Sequence, residues 1–419
     1  MKIFRVRLKK STIRDILNLA EECMEIIKRE QYLEKILPFI NTPFIKILTG
    51  MRRSGKSTIL MIIKDEVLKG IPEQNKIYFN FEELKNIDIN NYLDLYERIK
   101  PIIEGQKGRK YFFFDEIQQV EGWQKLVNGL RLEKDCDIYI TGSNGTLLSG
   151  ELSTLLTGRY VEFEIRSFTF KEYCEYRGNF DTKERMFEEY ITTGGLPALL
   201  DFRERNVKQV YLDFYSAVVY KDILGGKPTK TMDLVDRLIR FIMINIGNTF
   251  SANRIKNFLK NEQRTTSVDT ILNILKRCED AYLIKKAPRY EINGKKVLKT
   301  EEKYYLAEHG VREANGYSNK KDVGRVLENI VFNELIARGY MVKVGKIKDR
   351  EIDFVAEKEE ETKYVQVCYL LADENIQKRE FGAFDGIKDH YERIVLSMDK
   401  INFSQNGIRH YNIIEFLLN

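Results

Sequence analysis

Apolar positions along this chain follow two rhythms, and the changes between them lay out the elements. Phe44-Ile45-Lys46-Ile47-Leu48 is short and nearly continuously apolar, which predicts a buried strand, while from Ser57 to Lys69 apolar residues recur at helical spacing. Tyr111-Phe112-Phe113-Phe114 predicts an aromatic strand that runs straight into Asp115-Glu116, and Asp137 to Thr141 predicts another with a polar tip at Gly142-Ser143-Asn144. From Met232 the pattern changes. Leu234–Ile246, Ser251–Leu259 and Ser267–Tyr282 read as helices, the last two opened by a serine able to cap them. Tyr282–Lys286 and Lys299–Leu306 read as strands flanking Asn293-Gly294, a strong hairpin signal. Past Gly324, Val326–Ala337 reads as an amphipathic helix carrying Glu328, followed by strands at Glu351–Ala356 and Tyr364–Cys368.

The turn between the first strand and its helix carries the first chemistry. Gly50, then Met51 to Ser54, then Gly55-Lys56-Ser57 has the spacing of a phosphate-binding loop. Glycines let the backbone curl so that several N–H groups face one anion, and the following helix adds the positive end of its dipole. Lys56 then reaches the β and γ phosphates, and the Ser57 hydroxyl completes the shell of a Mg²⁺ ion. The candidate nucleotide contacts are Gly50, Arg52, Arg53, Ser54, Gly55, Lys56, Ser57 and Thr58. Two acids at the end of a buried strand fit the same chemistry: Asp115 as a second Mg²⁺-holding group and Glu116 as the base that orients the attacking water. The neighbouring strand would deliver Ser143 or Asn144 to the γ-phosphate, with Asn144 preferred because an amide can polarise that water.

Composition sets outer bounds. The chain has 419 residues, 43% hydrophobic and 32% charged, as expected of two or three soluble globular domains. No apolar run approaches membrane-spanning length and the N-terminus lacks an apolar signal core, so a cytoplasmic location without membrane contact is expected. The five cysteines lie far apart without paired spacing, against both a disulfide framework and a zinc site. A net charge of +6 permits nucleic-acid contact without implying it.

The order strand, phosphate loop, acidic strand, polar-tipped strand resembles the AAA+ ATPases. More narrowly, Arg52-Arg53 inside the loop, Asp115-Glu116, Thr141-Gly142-Ser143, Thr157-Gly158-Arg159 and Gly194-Gly195-Leu196-Pro197 look like one group of bacterial and archaeal ATPases that joins an AAA core to a C-terminal domain of unknown function. The resemblance covers the chain from about Glu30 onward. It implies an α/β fold with a P-loop NTPase (AAA+-like) core and helical lid, ATP rather than GTP, and Mg²⁺-dependent hydrolysis that is expected to be slow. It favours Arg159 as the arginine that neutralises charge in phosphoryl transfer, in cis or from a neighbouring subunit of a homo-oligomer; a helix-ending arginine beside Gly158 is the plainer alternative. Gly194 to Pro197 reads as a tight turn of the lid.

The expected division is an N-terminal helical extension (1–30), the ATPase core (31–170), the lid (171–231), a winged helix-turn-helix (232–310) and an α/β domain (311–419). Lys285, Lys286, Lys295 and Lys296 make the wing basic, so DNA along its phosphates and a protein partner are both candidates. In the last domain an acid on a helix (Glu328), an Asp on one strand (Asp353) and polar groups on the next resemble restriction-endonuclease-like cores. Where an active nuclease carries acid-x-lysine, this strand carries Gln366-Val367-Cys368, so the domain is expected to be inactive, with Lys363 as a nearby substitute lysine. Three functions follow: an ATP-hydrolysing switch that engages DNA or a partner through its C-terminal half, a nucleotide-gated nuclease, and an ATP-binding regulator that does not hydrolyse.

Overall fold

A parallel sheet organises the N-terminal part: β1 (Ile45–Thr49), β2 (Lys76–Asn80), β3 (Lys110–Asp115), β4 (Cys136–Thr141) and β5 (Tyr160–Glu164), in the order β2-β3-β4-β1-β5. The computed structural model describes residues 27–105, 107–133, 135–143, 147, 156–178, 181–200, 204–226, 231–298 and 302–419. Strands β1, β3 and β4 are buried along their whole length because helices cover both faces, which is why they read as unbroken apolar runs. Along β3, Tyr111 and Phe113 pack on one face with Ile59 and Leu60 of the helix Lys56–Ile62, while Phe112 and Phe114 pack on the other with Trp123 and Leu126. This is the mixed α/β core of a P-loop NTPase.

After β5 come the helices Phe170–Arg177, Lys183–Thr193 and Glu204–Ala217, the last running on into a wider-turned stretch at Val218–Ile223. Thr169 and Glu172 form a reciprocal capping box on the first. Helices Met232–Ile244, Ala252–Asn261 and Val268–Asp280 follow, and the side chains of Ser251 and Ser267 accept the backbone N–H bonds expected of caps.

The hairpin differs from expectation. Among β6 (Thr249–Phe250), β7 (Ile284–Ala287), β8 (Arg289–Glu291), β9 (Lys296–Val297) and β10 (Glu302–Leu306), β7 does pair with β10, and β6 completes that small antiparallel sheet. The Asn293-Gly294 turn, however, closes the separate pair β8–β9. These two strands extend a C-terminal sheet made of β11 (Met341–Ile347), β12 (Arg350–Lys358), β13 (Glu361–Val367), β14 (Glu392–Ser397) and β15 (Arg409–Asn412), ordered β15-β14-β13-β12-β11-β8-β9. The tip of this hairpin is therefore anchored by β11, which runs parallel to β8.

Candidate nucleotide site

The chemistry gathers at the C-terminal ends of the parallel strands. Gly50 leaves β1 with φ 130°, and a Cβ there would stand 2.0 Å from the Ile165 carbonyl oxygen, so only glycine lets the loop start its turn. Gly55, also left-handed, opens the helix Lys56–Ile62. The loop, the acidic strand end and the lid enclose a cleft of about 650 Å³, lined on its polar side by Arg52, Arg53, Gly55, Lys56, Ser57, Thr58, Asp115 and Glu116. Gly50 and Ser54 shape the loop from beneath; Ser54 is fully buried.

Lys56 is 4% exposed and donates to the Gly50 and Met51 carbonyl oxygens at 3.1 and 3.0 Å. Burial pushes its ammonium below the usual lysine range, opposed by Glu116 and Asp115. Ser57 Oγ donates to Asp115 Oδ1 at 3.0 Å, which brings together the hydroxyl and carboxylate that suit a hard divalent cation. Asp115 also accepts from Thr141 Oγ1 and, at 3.1 Å, from Tyr78 Oη. Glu116 follows in a left-handed turn (φ 56°), its N–H held by Thr141 Oγ1 at 2.9 Å and its carboxylate by Gln118.

Thr141 thus fixes both acids from the end of β4. Asn144 lies outside the described residues, as does Lys299. Ser143 is 1% exposed, and its hydroxyl has no hydrogen-bond partner among the described residues.

Arg159, the candidate charge-neutralising arginine in cis or from a neighbouring subunit, sits beside the first residue of β1. Its carbonyl accepts from Ile45 N at 3.0 Å, and its guanidinium donates to Asn128 Oδ1 at 2.9 Å. That places it at the start of β1, whereas the phosphate loop leaves the other end; at about 3.3 Å per residue the strand separates them by roughly 13 Å. It does not line the cleft.

Sequence reasoning missed Arg29 and Asp222 because their partners are distant in the chain. Arg29, 5% exposed, donates to the Ser54 carbonyl at 2.9 Å, to the Arg166 carbonyl at 2.9 Å, and to both oxygens of Glu172. Asp222 of the lid pairs with Arg52, and Lys221 beside it faces the cleft. Only the glycine pair of Gly194-Gly195-Leu196-Pro197 offered a signal for the lid's contact. Pro197 and Ala198 line the cleft with Phe168, Tyr176 and Phe214, and Gly195 N donates to buried Glu308 at 3.3 and 3.2 Å. A Cβ on Gly194 would meet Glu308 Oε1 at 1.9 Å.

The lysines expected to make a basic wing are partly spent. Lys285 pairs with Glu164 at 2.6 Å and Lys286 with Glu302 at 3.3 Å, while Lys296 lies in the exposed strand β9 beside Lys295. In the C-terminal sheet, Glu328, Glu351 and Asp353 converge on Lys303 Nζ at 2.8, 2.8 and 3.6 Å. Burial works against that ammonium, but Glu328, Asp353 and Glu351 outweigh it and raise its pKa. Gln366 accepts from Asp353 N and donates to Glu380, whereas Lys363 bonds Glu361 and Glu392. Ser397, His410 and Asp399 also meet, but the serine hydroxyl donates to Asp399 at 2.7 Å and sits between acid and imidazole, which is not the order of an activated nucleophile.

Two family models match the chain: an AAA domain over residues 42–174 and a Domain of unknown function (DUF8612) over residues 184–321. An uncharacterized protein of Haemophilus influenzae is 37% identical over 399 residues, 94% of this chain and 99% of that one. Uncharacterized protein MJ1544 of Methanocaldococcus jannaschii is 32% identical over 398 residues, 90% of this chain and 86% of that one. Among solved structures, the Aeropyrum pernix ORC1 protein in complex with DNA aligns at 14% identity over 72% of this chain and 95% of that chain, with a TM-score of 0.30, an overlap too low to carry any argument about activity. No helix among the described residues is long and apolar enough to cross a membrane.

Proposed function

Because the chain belongs to the family of these two uncharacterized relatives and carries an AAA domain, we propose that it binds ATP with Mg²⁺, hydrolyses it slowly, and uses the cycle to switch a C-terminal half that engages a macromolecular partner. The observation that carries this reading is the Ser57–Asp115 contact at 3.0 Å beside buried Lys56, at the mouth of a helix-headed loop. Ser57 and Asp115 are the residues that would hold Mg²⁺, with Lys56 and the loop amides on the triphosphate. The ion would offset charge on the phosphate oxygens. Glu116, oriented through Thr141, is the group assigned to the attacking water, and the aromatic wall of Phe168, Tyr176 and Phe214 offers the base an apolar seat. Arg159 stands at the end of β1 away from the phosphate loop, which favours a role on a neighbour's nucleotide in a homo-oligomer and slow turnover by a lone chain.

Steady-state phosphate release with Mg²⁺ tests the reading against that of a non-hydrolysing regulator. The parent should turn ATP over, and Glu116→Gln, which keeps shape but loses the carboxylate, should retain bound ATP and lose about 10²–10⁴-fold in rate. Equal turnover would remove Glu116 from its role.

A further inference from the structure

An ion pair ties the phosphate loop to the lid. Arg52 donates from Nε to Asp222 Oδ2 at 2.8 Å and from Nη2 to Oδ1 at 3.0 Å, a bidentate fork. The Asp222 side chain is only 4% exposed, and Arg52 lies on the cleft wall with Lys56 and Glu116. Asp222 belongs to Val218–Ile223, the wider-turned stretch that ends the long lid helix, a geometry rare in helices and frequent where function needs a local distortion. The apolar side chains of that stretch, Val218, Val219 and Ile223, share a core with Ile271 and Ile274 of the helix Val268–Asp280. The stretch that carries Asp222 therefore packs directly on the helices that follow the ATPase.

We propose that Arg52–Asp222 is a nucleotide-sensitive latch: Asp222 is a positioning residue that holds Arg52 against the lid, and the γ-phosphate of ATP competes with it for the guanidinium. A planar carboxylate and a tetrahedral phosphoryl group can each accept two N–H bonds from a guanidinium fork, and one guanidinium cannot give the same pair of donors to both. ADP, which ends one phosphate short, leaves the latch closed; ATP opens it and frees Val218–Ile223 to shift. Glu116 also acts on Arg52 electrostatically, so the acid assigned to hydrolysis and the latch share one field.

The proposal rests on the ATP reading above. Titration with fluorescent ATP-analogue and ADP probes separates the two. Asp222→Asn keeps the shape and removes the competing charge, so ATP-analogue affinity should rise by about tenfold while ADP affinity stays put. Arg52→Gln should bring ATP affinity down toward that of ADP, and Asp222→Glu should restore parental ratios. A purely structural pair would instead weaken both nucleotides alike, and an unchanged ATP-to-ADP ratio in Asp222→Asn overturns the latch. The unmodified chain gives an independent measurement: hydrogen exchange over 218–223 should quicken with the ATP analogue relative to ADP, and equal exchange overturns the proposal. A parent that binds neither nucleotide removes the ATP reading and the latch together, whereas one that binds ATP without these differences removes the latch alone.

Discussion

At the scale of single residues, Lys56 shows why the phosphate loop could be read in advance. Its role needs only neighbours: the loop carbonyls of Gly50 and Met51 accept its hydrogen bonds, and the next helix begins at its own position. Lys56→Ala should cost the triphosphate a charge-assisted contact of about 2–3 kcal/mol, roughly 30- to 150-fold in affinity. A labelled ATP analogue bound equally well by mutant and parent would refute this. Arg29 and Asp222 are different. Arg29 stands 25 positions from Ser54, and Arg52 stands 170 from Asp222, so no local pattern announces them. Buried charge is informative only once its partner is known. Thr141 lay in between: its place in a polar strand tip was visible, but that it grips both acids depended on the register of β4 against β3.

At the scale of elements, caps and strands matched their signals because both are local: Ser251 and Ser267 cap their helices, and the aromatic run of β3 is buried on both faces. The Asn293-Gly294 hairpin formed too, but which sheet it joined was decided by β11, some fifty residues further on, about which a turn signal says nothing. That placement divides the wing lysines. Lys295 and Lys296, near the β8–β9 turn, are the pair left for phosphates, so Lys295→Gln with Lys296→Gln should flatten any salt dependence of DNA retention. Changing Lys285 and Lys286, already paired with acids, should affect stability more than DNA. A parent without salt-dependent retention points to a protein partner. The glycine turn at 194–195 makes a second element-level prediction. Glu308 accepts from Gly195 N and, at 3.0 Å, from Gly310 N, so Glu308→Ala leaves two buried donors unpaired at about 1–3 kcal/mol each. Denaturant unfolding should show that loss, with Glu308→Gln, which keeps an acceptor, milder; equal stability of Glu308→Ala and parent would mean the turn does not depend on this acid.

At the scale of the molecule, expected boundaries at 171, 232 and 311 follow changes of pattern, while one apolar core runs across them, from Phe170 and Phe187 through Ile239 and Ile271 to Phe332 and Ile394. Lys303 makes the same connection in polar form. It leaves β10, in the small sheet, and places its ammonium, 2% exposed, among the acids of the C-terminal sheet and helix. A nuclease of this kind would hold a divalent metal where carboxylates converge, with a lysine at the attacking water. Here the convergence point is filled by a cation that cannot leave, Tyr305 Oη also donates to Glu328 at 2.6 Å, and Gln366 offers a neutral amide already bonded to Asp353 and Glu380. The arrangement suits a strut between sheets better than a site for phosphodiester cleavage. Purified protein should therefore leave single- and double-stranded DNA intact with Mg²⁺ and ATP, and cleavage abolished by Asp353→Ala would reverse that conclusion. The strut itself predicts a cost: Lys303→Met keeps most of the stem but strands three carboxylates around an apolar tip, and removing one partner of a buried charge cluster typically costs about 3–5 kcal/mol. Part of that loss should be recovered in Lys303→Met with Glu328→Gln, because the second change removes one of the stranded charges; a double variant no more stable than the single one would show that the acids do not depend on Lys303 for their place in the fold.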